Sequence, residues 1–286
     1  MEKRLDPLIA ERAPWLYGTS PFAPVARRML MGLLGYRQTI TLGELYQDWP
    51  TDHIMHHVAG LLARDMKVTG LHNVPRQGPA LIVANHPTGI ADGIMLHHAL
   101  FPIRPDMFIY ANSDILRILP QFESLIAPVE WRVDKRTKAK TRETMEYTKR
   151  AIDAGRLGVI FPSGRLAKRQ GLRLHERPWM ASAAMIARKH DLPIIPLHIR
   201  ARNSALFYLF DLIHPTLRDI TLFYETLNKD QQPYRLTVGE PISASSLPSK
   251  SEDAIELLKR ETLALGGPHA PTVSLVQNTR MPSWAR

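Results

Sequence analysis

Four short, mostly continuous runs of apolar residues and two further strand-like segments, separated by helical segments, dominate the sequence from about residue 66 onward. Uninterrupted runs of this kind are typical of strands buried on both faces, as in a largely parallel sheet. Their alternation with helices predicts an α/β fold, in which a mostly parallel central sheet is flanked by helices on both faces. Strands are predicted at Ala80–Ala84, Met107–Tyr110, Gly158–Phe161, Leu192–Ile199, Ile220–Tyr224 and Tyr234–Val238.

The 286 residues divide into three predicted parts. Residues 1–60 form an N-terminal helical segment, residues 61–266 an α/β domain with helices near 92–100, 138–154 and 178–190, and residues 267–286 a flexible tail. Within the first part, the segment from Ala26 to Tyr36 is apolar and contains Arg27 and Arg28 near its start. It fits a helix that contacts a membrane surface and equally a helix that packs on the domain, so both interpretations stay open.

The absence of cysteine excludes a disulfide scaffold, a Cys-ligated zinc or iron–sulfur site and a cysteine nucleophile. No apolar run reaches the ~18 residues of a membrane-spanning helix. The N-terminus is interrupted by charges and prolines, unlike a secretory signal. We therefore expect a cytoplasmic protein. Histidines at 53, 56, 57, 97 and 98 lack an accompanying carboxylate motif, so no metal site is predicted.

The net charge of +10 is concentrated in one part of the chain: residues 131–200 contain 17 basic and 6 acidic residues. A local excess of this size favours an anionic partner, such as an anionic membrane surface, a phosphorylated or acidic-protein substrate, or nucleic acid. Nucleic acid is not expected, because the sequence has no helix-turn-helix, RNA-recognition or zinc-finger pattern.

The loop Asn-His-Pro-Thr-Gly follows the predicted strand at Ala80–Ala84. His86 therefore lies at the carboxyl end of a strand, where open α/β sheets bind their ligands. A histidine there can act as a general base near neutral pH. Asp92, at the start of the next helix, can hydrogen-bond the second ring nitrogen and offset the imidazolium charge. We predict this catalytic pair; a merely loop-stabilising hydrogen bond is the alternative.

A second loop, Phe-Pro-Ser-Gly-Arg, follows the strand at Gly158–Phe161. The hydroxyl of Ser163, the backbone at Gly164 and the guanidinium of Arg165 could hold a phosphate group. Ser163 does not lie in the elbow motif of a serine nucleophile, so covalent catalysis through it is disfavoured. His175 and Glu176 come shortly afterwards and are candidates to line the same site.

The order of these motifs, followed by the strand Leu-Pro-Ile-Ile-Pro-Leu-His-Ile, resembles the glycerolipid acyltransferase superfamily, whose members acylate glycerol 3-phosphate and lysophosphatidic acid. The resemblance extends over about residues 66–242. It is strongest to the hemolysin-related and lyso-ornithine lipid acyltransferases, in which an Asn-His-Pro motif with a five-residue gap occurs.

The resemblance implies that residues 61–266 are the catalytic domain, with His86 as base and Asp92 as its partner. Two departures stand out: five residues separate this pair instead of four, a spacing that Gly89 can accommodate, and serine replaces the glutamate of the second motif. The resemblance also implies a set of substrate-binding residues: Arg132, Ser163, Gly164, Arg165 and Pro196.

The function implied is transfer of a fatty acyl group from acyl-CoA or acyl-carrier protein to the hydroxyl of a lysolipid, in phospholipid or ornithine-lipid biosynthesis, with no cofactor. The protein would then be peripheral on the inner face of the membrane, with anionic lipid as a partner. A hydrolase that activates water on the same substrates is one alternative, and a non-catalytic protein that binds anionic lipid or nucleic acid is another.

Overall fold

The computed structural model describes residues 1–62, 65–130, 135–225 and 232–276. In these ranges the main sheet has seven strands, and a smaller sheet has three. The main sheet contains β1 (Met66–Thr69), β2 (Ala80–Ala84), β3 (Phe108–Asn112), β4 (Ile126–Val129), β5 (Leu157–Ile160), β8 (Ile194–Arg200) and β9 (Tyr234–Val238). The smaller sheet contains β6 (Lys168–Gln170), β7 (Arg173–His175) and β10 (Thr272–Ser274).

The main sheet has the strand order β1-β9-β8-β2-β5-β3-β4, and all its pairings are parallel except that of β8 with β9. Strand β2 lies near the middle, between β8 and β5. Its residues are all buried, because alternate side chains enter two different cores. Ile82 packs in one core and Leu81 and Val83 in the other. This two-sided burial is the reason for the uninterrupted apolar run in the sequence.

Helices cover both faces of the sheet. The core on the Ile82 side includes residues of α1 (Glu2–Arg12), α3 (Tyr36–Leu45), α4 (Thr51–Leu62), α5 (Ile90–Leu100), α6 (Asp114–Ile118), α9 (Ala205–Ile213) and α10 (Pro215–Glu225), and α2 (Ala23–Leu33) packs at its edge. The core on the Val83 side includes α7 (Lys138–Asp153), α8 (Ser182–Lys189) and α11 (Ser251–Ala264). The predicted fold class, a mostly parallel sheet flanked by helices with a helical N-terminus, is confirmed.

One predicted strand is wrong. Residues 220–224 belong to helix α10. Leu217, Ile220 and Tyr224 all pack against the main core, and their spacing of three and four residues is that of one helix face. The five residues from 220 to 224 are too few to show the helical spacing of these core contacts.

The predicted tail also differs from the structure where it is described. Residues 272–274 form β10, which pairs antiparallel with β7. Val273 is buried there beside Leu174, Phe207 and Tyr208, so burial of apolar surface holds this segment in place. Residues 277–286 lie outside the described residues. Across the described helices, none combines the length and apolar character required to cross a bilayer.

Candidate active site

The two loops identified in the sequence meet because β2 and β5 are neighbouring parallel strands. Val83 is paired with Ile160, so both strands end at the same edge of the sheet. The loop after β2 carries His86, and the loop after β5 starts with Phe161. The two rings stack with centroids 4.3 Å apart. Sheet topology thus builds the site at the carboxyl ends of the strands.

His86 and Asp92 are in direct contact, with 2.8 Å between His86 Nδ1 and Asp92 Oδ2. The side chain of Asp92 is fully buried, whereas that of His86 is 17% exposed. Asp92 is the third residue of α5, and Gly89 before that helix has a φ of 90°. This positive φ is readily adopted by glycine, and it lets the loop absorb the extra residue between the pair.

The Asp92 carboxylate accepts four further hydrogen bonds. Its Oδ2 accepts from the backbone N–H groups of Thr88 and Gly89 at 2.9 and 3.0 Å, and its Oδ1 accepts from the Thr88 hydroxyl at 2.6 Å and from the Tyr234 hydroxyl. Burial alone would raise the pKa of Asp92, but the interactions with His86, Thr88 and Tyr234 outweigh it and lower that pKa. Asp92 therefore stays ionised.

An ionised carboxylate can only accept hydrogen bonds, so the Nδ1 atom of His86 carries the hydrogen in this contact. In neutral His86 the Nε2 atom is then the ring nitrogen with a free lone pair. The arrangement is that of an oriented general base: Asp92 fixes the tautomer and stabilises the imidazolium that forms when Nε2 takes a proton.

Glu176 anchors the loop that carries His86. Its Oε2 accepts from the backbone N–H of His86 at 3.2 Å, and its Oε1 accepts from Nε1 of Trp179 at 3.0 Å. Burial raises the pKa of Glu176, and these two hydrogen bonds partly oppose the rise. The loop after β5 is tied to the same point, because the backbone N–H of Ala167 donates to the carbonyl of His86 at 2.9 Å.

A cavity of about 1060 Å³ opens beside the pair, with His86 in its wall. Gly164, Arg165 and Arg177 also line it. Most of the remaining wall is apolar and comes from α1, α3, α4, α5, α6, the segment after α6, β3 and β4, including Leu5, Leu8, Leu42, Ile54, Met55, Val58, Ile94, Ile109, Ile118, Phe122 and Ile126. Such a cavity is large enough for a sizeable apolar ligand and presents it to a basic group.

Comparisons with known proteins find similarity to acyltransferases. A family model described as Acyltransferase matches residues 65–200. The lyso-glycine lipid O-acyltransferases of Phocaeicola vulgatus and Bacteroides thetaiotaomicron are 26% and 23% identical to this chain over 183 residues. The family model and both relatives thus show similarity to acyltransferases over residues 65–200 and over the aligned part of the chain. Each alignment covers 62% of this chain and less than two thirds of the relative, 64% and 65% of their lengths.

A solved structure shows a similar fold. The crystal structure of PlsC from Thermotoga maritima, a 1-acyl-sn-glycerophosphate acyltransferase, matches with a TM-score of 0.50 and 13% sequence identity. The match covers 86% of this chain and 98% of that one.

The residues that the superfamily resemblance implied for substrate binding fall into three groups. Gly164 and Arg165 line the cavity. Ser163 is buried, its hydroxyl donates to the carbonyl of Arg165 at 2.8 Å, and it is not part of the cavity wall. Arg132 lies outside the described residues.

The structure places Pro196 away from the cavity wall. This residue is buried in the central strand β8, its ring lies against Gly239, and it does not contribute to the cavity wall. Side chains alternate along a strand, and on β8 it is Ile195 and Leu197 that pack in the core on the Ile82 side. The proline-rich sequence of the strand could not show which face each residue takes.

Three residues of the site were not predicted from the sequence. Tyr234 donates to Asp92 from a strand 142 residues away, and no local pattern connects the two. Thr88 lies inside the recognised loop, but its hydrogen bonds depend on the turn that Gly89 makes. Arg177 was visible only as one of many basic residues in the positive segment. Among the described residues, no three His, Asp or Glu side chains converge as metal ligands.

Proposed function

We propose that this protein is an O-acyltransferase that moves a fatty acyl group from an acyl thioester to the hydroxyl of a lysolipid. The observation that carries the proposal is the oriented His86–Asp92 pair in the wall of a largely apolar cavity of about 1060 Å³. The match of residues 65–200 to the acyltransferase family model supports the reaction type, and the names of the two lyso-glycine lipid O-acyltransferases support a lysolipid as acceptor.

In the reaction, Nε2 of His86 takes the proton from the acceptor hydroxyl while that oxygen attacks the thioester carbonyl carbon. The tetrahedral species collapses, the carbon–sulfur bond breaks, and the ester forms. The imidazolium then returns its proton to the departing thiolate, so that a free thiol leaves and His86 is ready for another cycle. Asp92 keeps the ring oriented throughout and balances its transient positive charge.

The cavity supports two subsites. Its apolar wall suits a fatty acyl chain, which loses contact with water there. Arg165 and Arg177 supply positive charge to the wall of the same cavity that His86 lines. Arg165 is exposed and makes no ion pair within the described chain, while Arg177 uses only its Nε atom, which donates to the carbonyl of Leu166 at 2.8 Å. These guanidinium groups suit a phosphate or carboxylate on donor or acceptor.

Helix α2 supports attachment to a membrane surface. Its apolar face is unusually exposed: Phe22, Val25, Met29 and Leu33 are 79, 59, 71 and 53% exposed. They recur every three or four residues, as on one helix face. Residues 13–43 contain no acidic residue, and their charged residues are Arg27, Arg28 and Arg37. An apolar face with basic neighbours is typical of a helix lying on an anionic bilayer, here the inner face of the membrane.

The test is product analysis. Purified protein is incubated with labelled long-chain acyl thioesters of coenzyme A and of acyl carrier protein, and with a panel of lysolipids that includes lysophosphatidic acid, lyso-ornithine lipid and lyso-glycine lipid. We expect a diacyl product from one acceptor, and its loss in His86→Ala. Release of free fatty acid alone would indicate a hydrolase, and equal product from His86→Ala would remove the proposed base.

A further inference from the structure

The segment from residue 165 to 177, which contains the β6–β7 hairpin, is strongly positive. It holds five Lys or Arg residues and one acidic residue. That acidic residue, Glu176, is turned toward Trp179 and the backbone of His86. Within the described chain none of the five cations forms an ion pair: Arg165, Lys168, Arg169, Arg173 and Arg177. Unpaired charge of one sign at a single place favours an anionic partner.

The strand register shows where this charge points. Arg169 is paired with Leu174 and Val273 in the three-stranded sheet. Leu174 and Val273 are buried against α9, so this row of the sheet faces the protein. Side chains alternate across a sheet, and the neighbouring rows therefore face the other way. They contain Lys168, Gln170, Arg173, His175, Thr272 and Ser274, none of them acidic. The outer face of the sheet is polar and positive.

The segment that carries this positive face begins and ends at the active site. Arg165 and Arg177, at the two ends of the segment, line the cavity beside His86. The base of the hairpin is fixed to the catalytic loop by the hydrogen bond from Ala167 to the carbonyl of His86. From Arg165 to the turn at Gly171 the chain advances at most about 20 Å, at roughly 3.3 Å per residue. A partner bound along the hairpin is thus held at a limited distance from the catalytic base.

The tip of the hairpin is apolar. Leu172 is 66% exposed, and Val276 beside it is 62% exposed. The two are neighbours because the backbone N–H of Leu275 donates to the carbonyl of Leu172 at 3.0 Å. Exposed apolar residues with basic residues around them are typical of a surface that binds an acidic protein, in which the apolar contact adds affinity and the charge adds steering.

We propose that the outer face and tip of the β6–β7 hairpin are the docking surface for an acidic acyl carrier protein, which delivers the acyl thioester to His86. This inference rests on the proposed acyltransferase function and names its donor. A free nucleotide would be held by donors that converge in a concave site, whereas this charge is spread over a sheet face and ends at two apolar side chains. The proposed contact with the membrane is made by the apolar face of α2, so the hairpin is not needed for it.

The experiment compares two variants with equal changes of charge. Lys168→Glu/Arg173→Glu reverses the outer face of the hairpin, and Arg142→Glu/Arg150→Glu reverses two exposed, unpaired cations of α7 that do not line the cavity. Each is assayed with acyl carrier protein thioester and with the acyl-pantetheine thioester, which lacks the carrier protein. We expect the hairpin variant to raise KM for the carrier-protein donor at least tenfold. Its kcat and its use of acyl-pantetheine should stay unchanged, and the α7 variant should match wild type.

Docking is also measured without turnover. The carrier protein, with its pantetheine thiol free of any acyl group, is bound to the His86→Ala variant of this protein. The carrier protein should still bind the His86→Ala variant, and added salt should weaken this binding. Binding should weaken at least tenfold when Lys168→Glu/Arg173→Glu is added to His86→Ala. If carrier-protein binding persists but no donor gives product, the docking site stands and the proposed function fails.

Several results would overturn the docking surface. One is unchanged carrier-protein binding by the hairpin variant. Another is an equal rise in KM for acyl-pantetheine or acyl-CoA, which would indicate a thioester or nucleotide subsite. A third is loss of binding to anionic vesicles with carrier-protein binding intact, which would make the hairpin a membrane contact.

Discussion

Asp92 is the residue on which the site depends. Its two oxygens accept hydrogen bonds from an imidazole, two backbone amides and two hydroxyl groups, and no part of the side chain reaches solvent. A buried carboxylate with this many donors keeps its charge and its position, so His86 has one tautomer and one orientation. The neighbouring Glu176 plays a different part, because it holds the backbone of His86 and not the ring.

At this scale we predict that Asp92→Asn lowers kcat by about 10²- to 10⁴-fold. Asparagine keeps the shape of the side chain but has no charge with which to stabilise the imidazolium. Steady-state kinetics with saturating donor and acceptor measure the effect. The matched control is Asp253→Asn, an exposed residue in the first turn of α11. A kcat within a few-fold of wild type for Asp92→Asn would show that the carboxylate is not needed in the chemical step.

A second prediction concerns the hydroxyl of Tyr234, which donates to the buried carboxylate. Tyr234→Phe should lower kcat about tenfold. It should also lower the free energy of unfolding by about 1–3 kcal/mol, because a buried acceptor loses one of its donors. The control is Tyr147→Phe, whose hydroxyl donates to the carbonyl of Ser124 away from the cavity. The Tyr147→Phe variant should have a lower free energy of unfolding but an unchanged kcat. Equal losses of kcat in both variants would contradict a positioning role of Tyr234 at Asp92.

At the scale of elements, the sequence predicted a strand or helix correctly when the contacts that stabilise it leave a local pattern in the sequence. Strands β2 and β9 were placed correctly because burial on both faces gives β2 a continuous apolar run, while β9 alternates between buried and half-buried residues. Helix α10 was not predicted, because its five apolar-rich residues fit the period of a strand as well as that of a helix. The spacing of its core contacts becomes clear only over a longer stretch of sequence. Strand β10 was missed because its burial depends on α9 and β7, which lie far away in the chain.

Helix α2 carries the prediction at this scale. Phe22→Ser/Met29→Ser removes two exposed apolar side chains that make no core contact. We expect binding to anionic vesicles to weaken at least tenfold, since each such side chain contributes about 1.5–3 kcal/mol when fully transferred from water.

Vesicle flotation measures this binding, and thermal unfolding checks that the variant is folded. Met185→Ser on α8, which removes a comparably exposed methionine elsewhere, is the control and should bind vesicles like wild type. Unchanged vesicle binding by the α2 variant would contradict a membrane role for the helix.

For the whole molecule, the sequence indicated the candidate residues of the site but not the cavity around them. The motifs pointed to His86, Asp92 and Arg165 because they follow strands whose ends are set by the sheet; the structure brings His86 into contact with Asp92 and places His86 and Arg165 in the cavity wall. The cavity could not be foreseen, since α1, α3 and α4 supply much of its wall from positions far from the motifs. The same limit applies to Pro196, because strand membership does not determine which face of the sheet a side chain takes.

The stability of the whole molecule should depend on pH through two buried histidines on different elements. His97 on α5 and His198 on β8 are 4% and 3% exposed. Burial lowers the pKa of each to about 4, and the neighbouring His98 (for His97) or Arg200 (for His198) acts in the same direction. In the unfolded chain both regain a pKa near the ordinary value of about 6.5. Between these limits the unfolded state binds more protons than the folded state, so stability falls as pH falls from about 6.5 to about 4.

We therefore predict that the free energy of unfolding, measured in urea, is lower at pH 5 than at pH 7, and that each histidine contributes roughly 2 kcal/mol to the difference. His198→Gln should remove about that much of the pH dependence, whatever its effect on stability at pH 7. His53→Gln, an exposed histidine, should leave the dependence unchanged. If the His198→Gln protein keeps the full difference between the two pH values, then His198 is not held neutral by its burial, and the dependence arises elsewhere in the molecule.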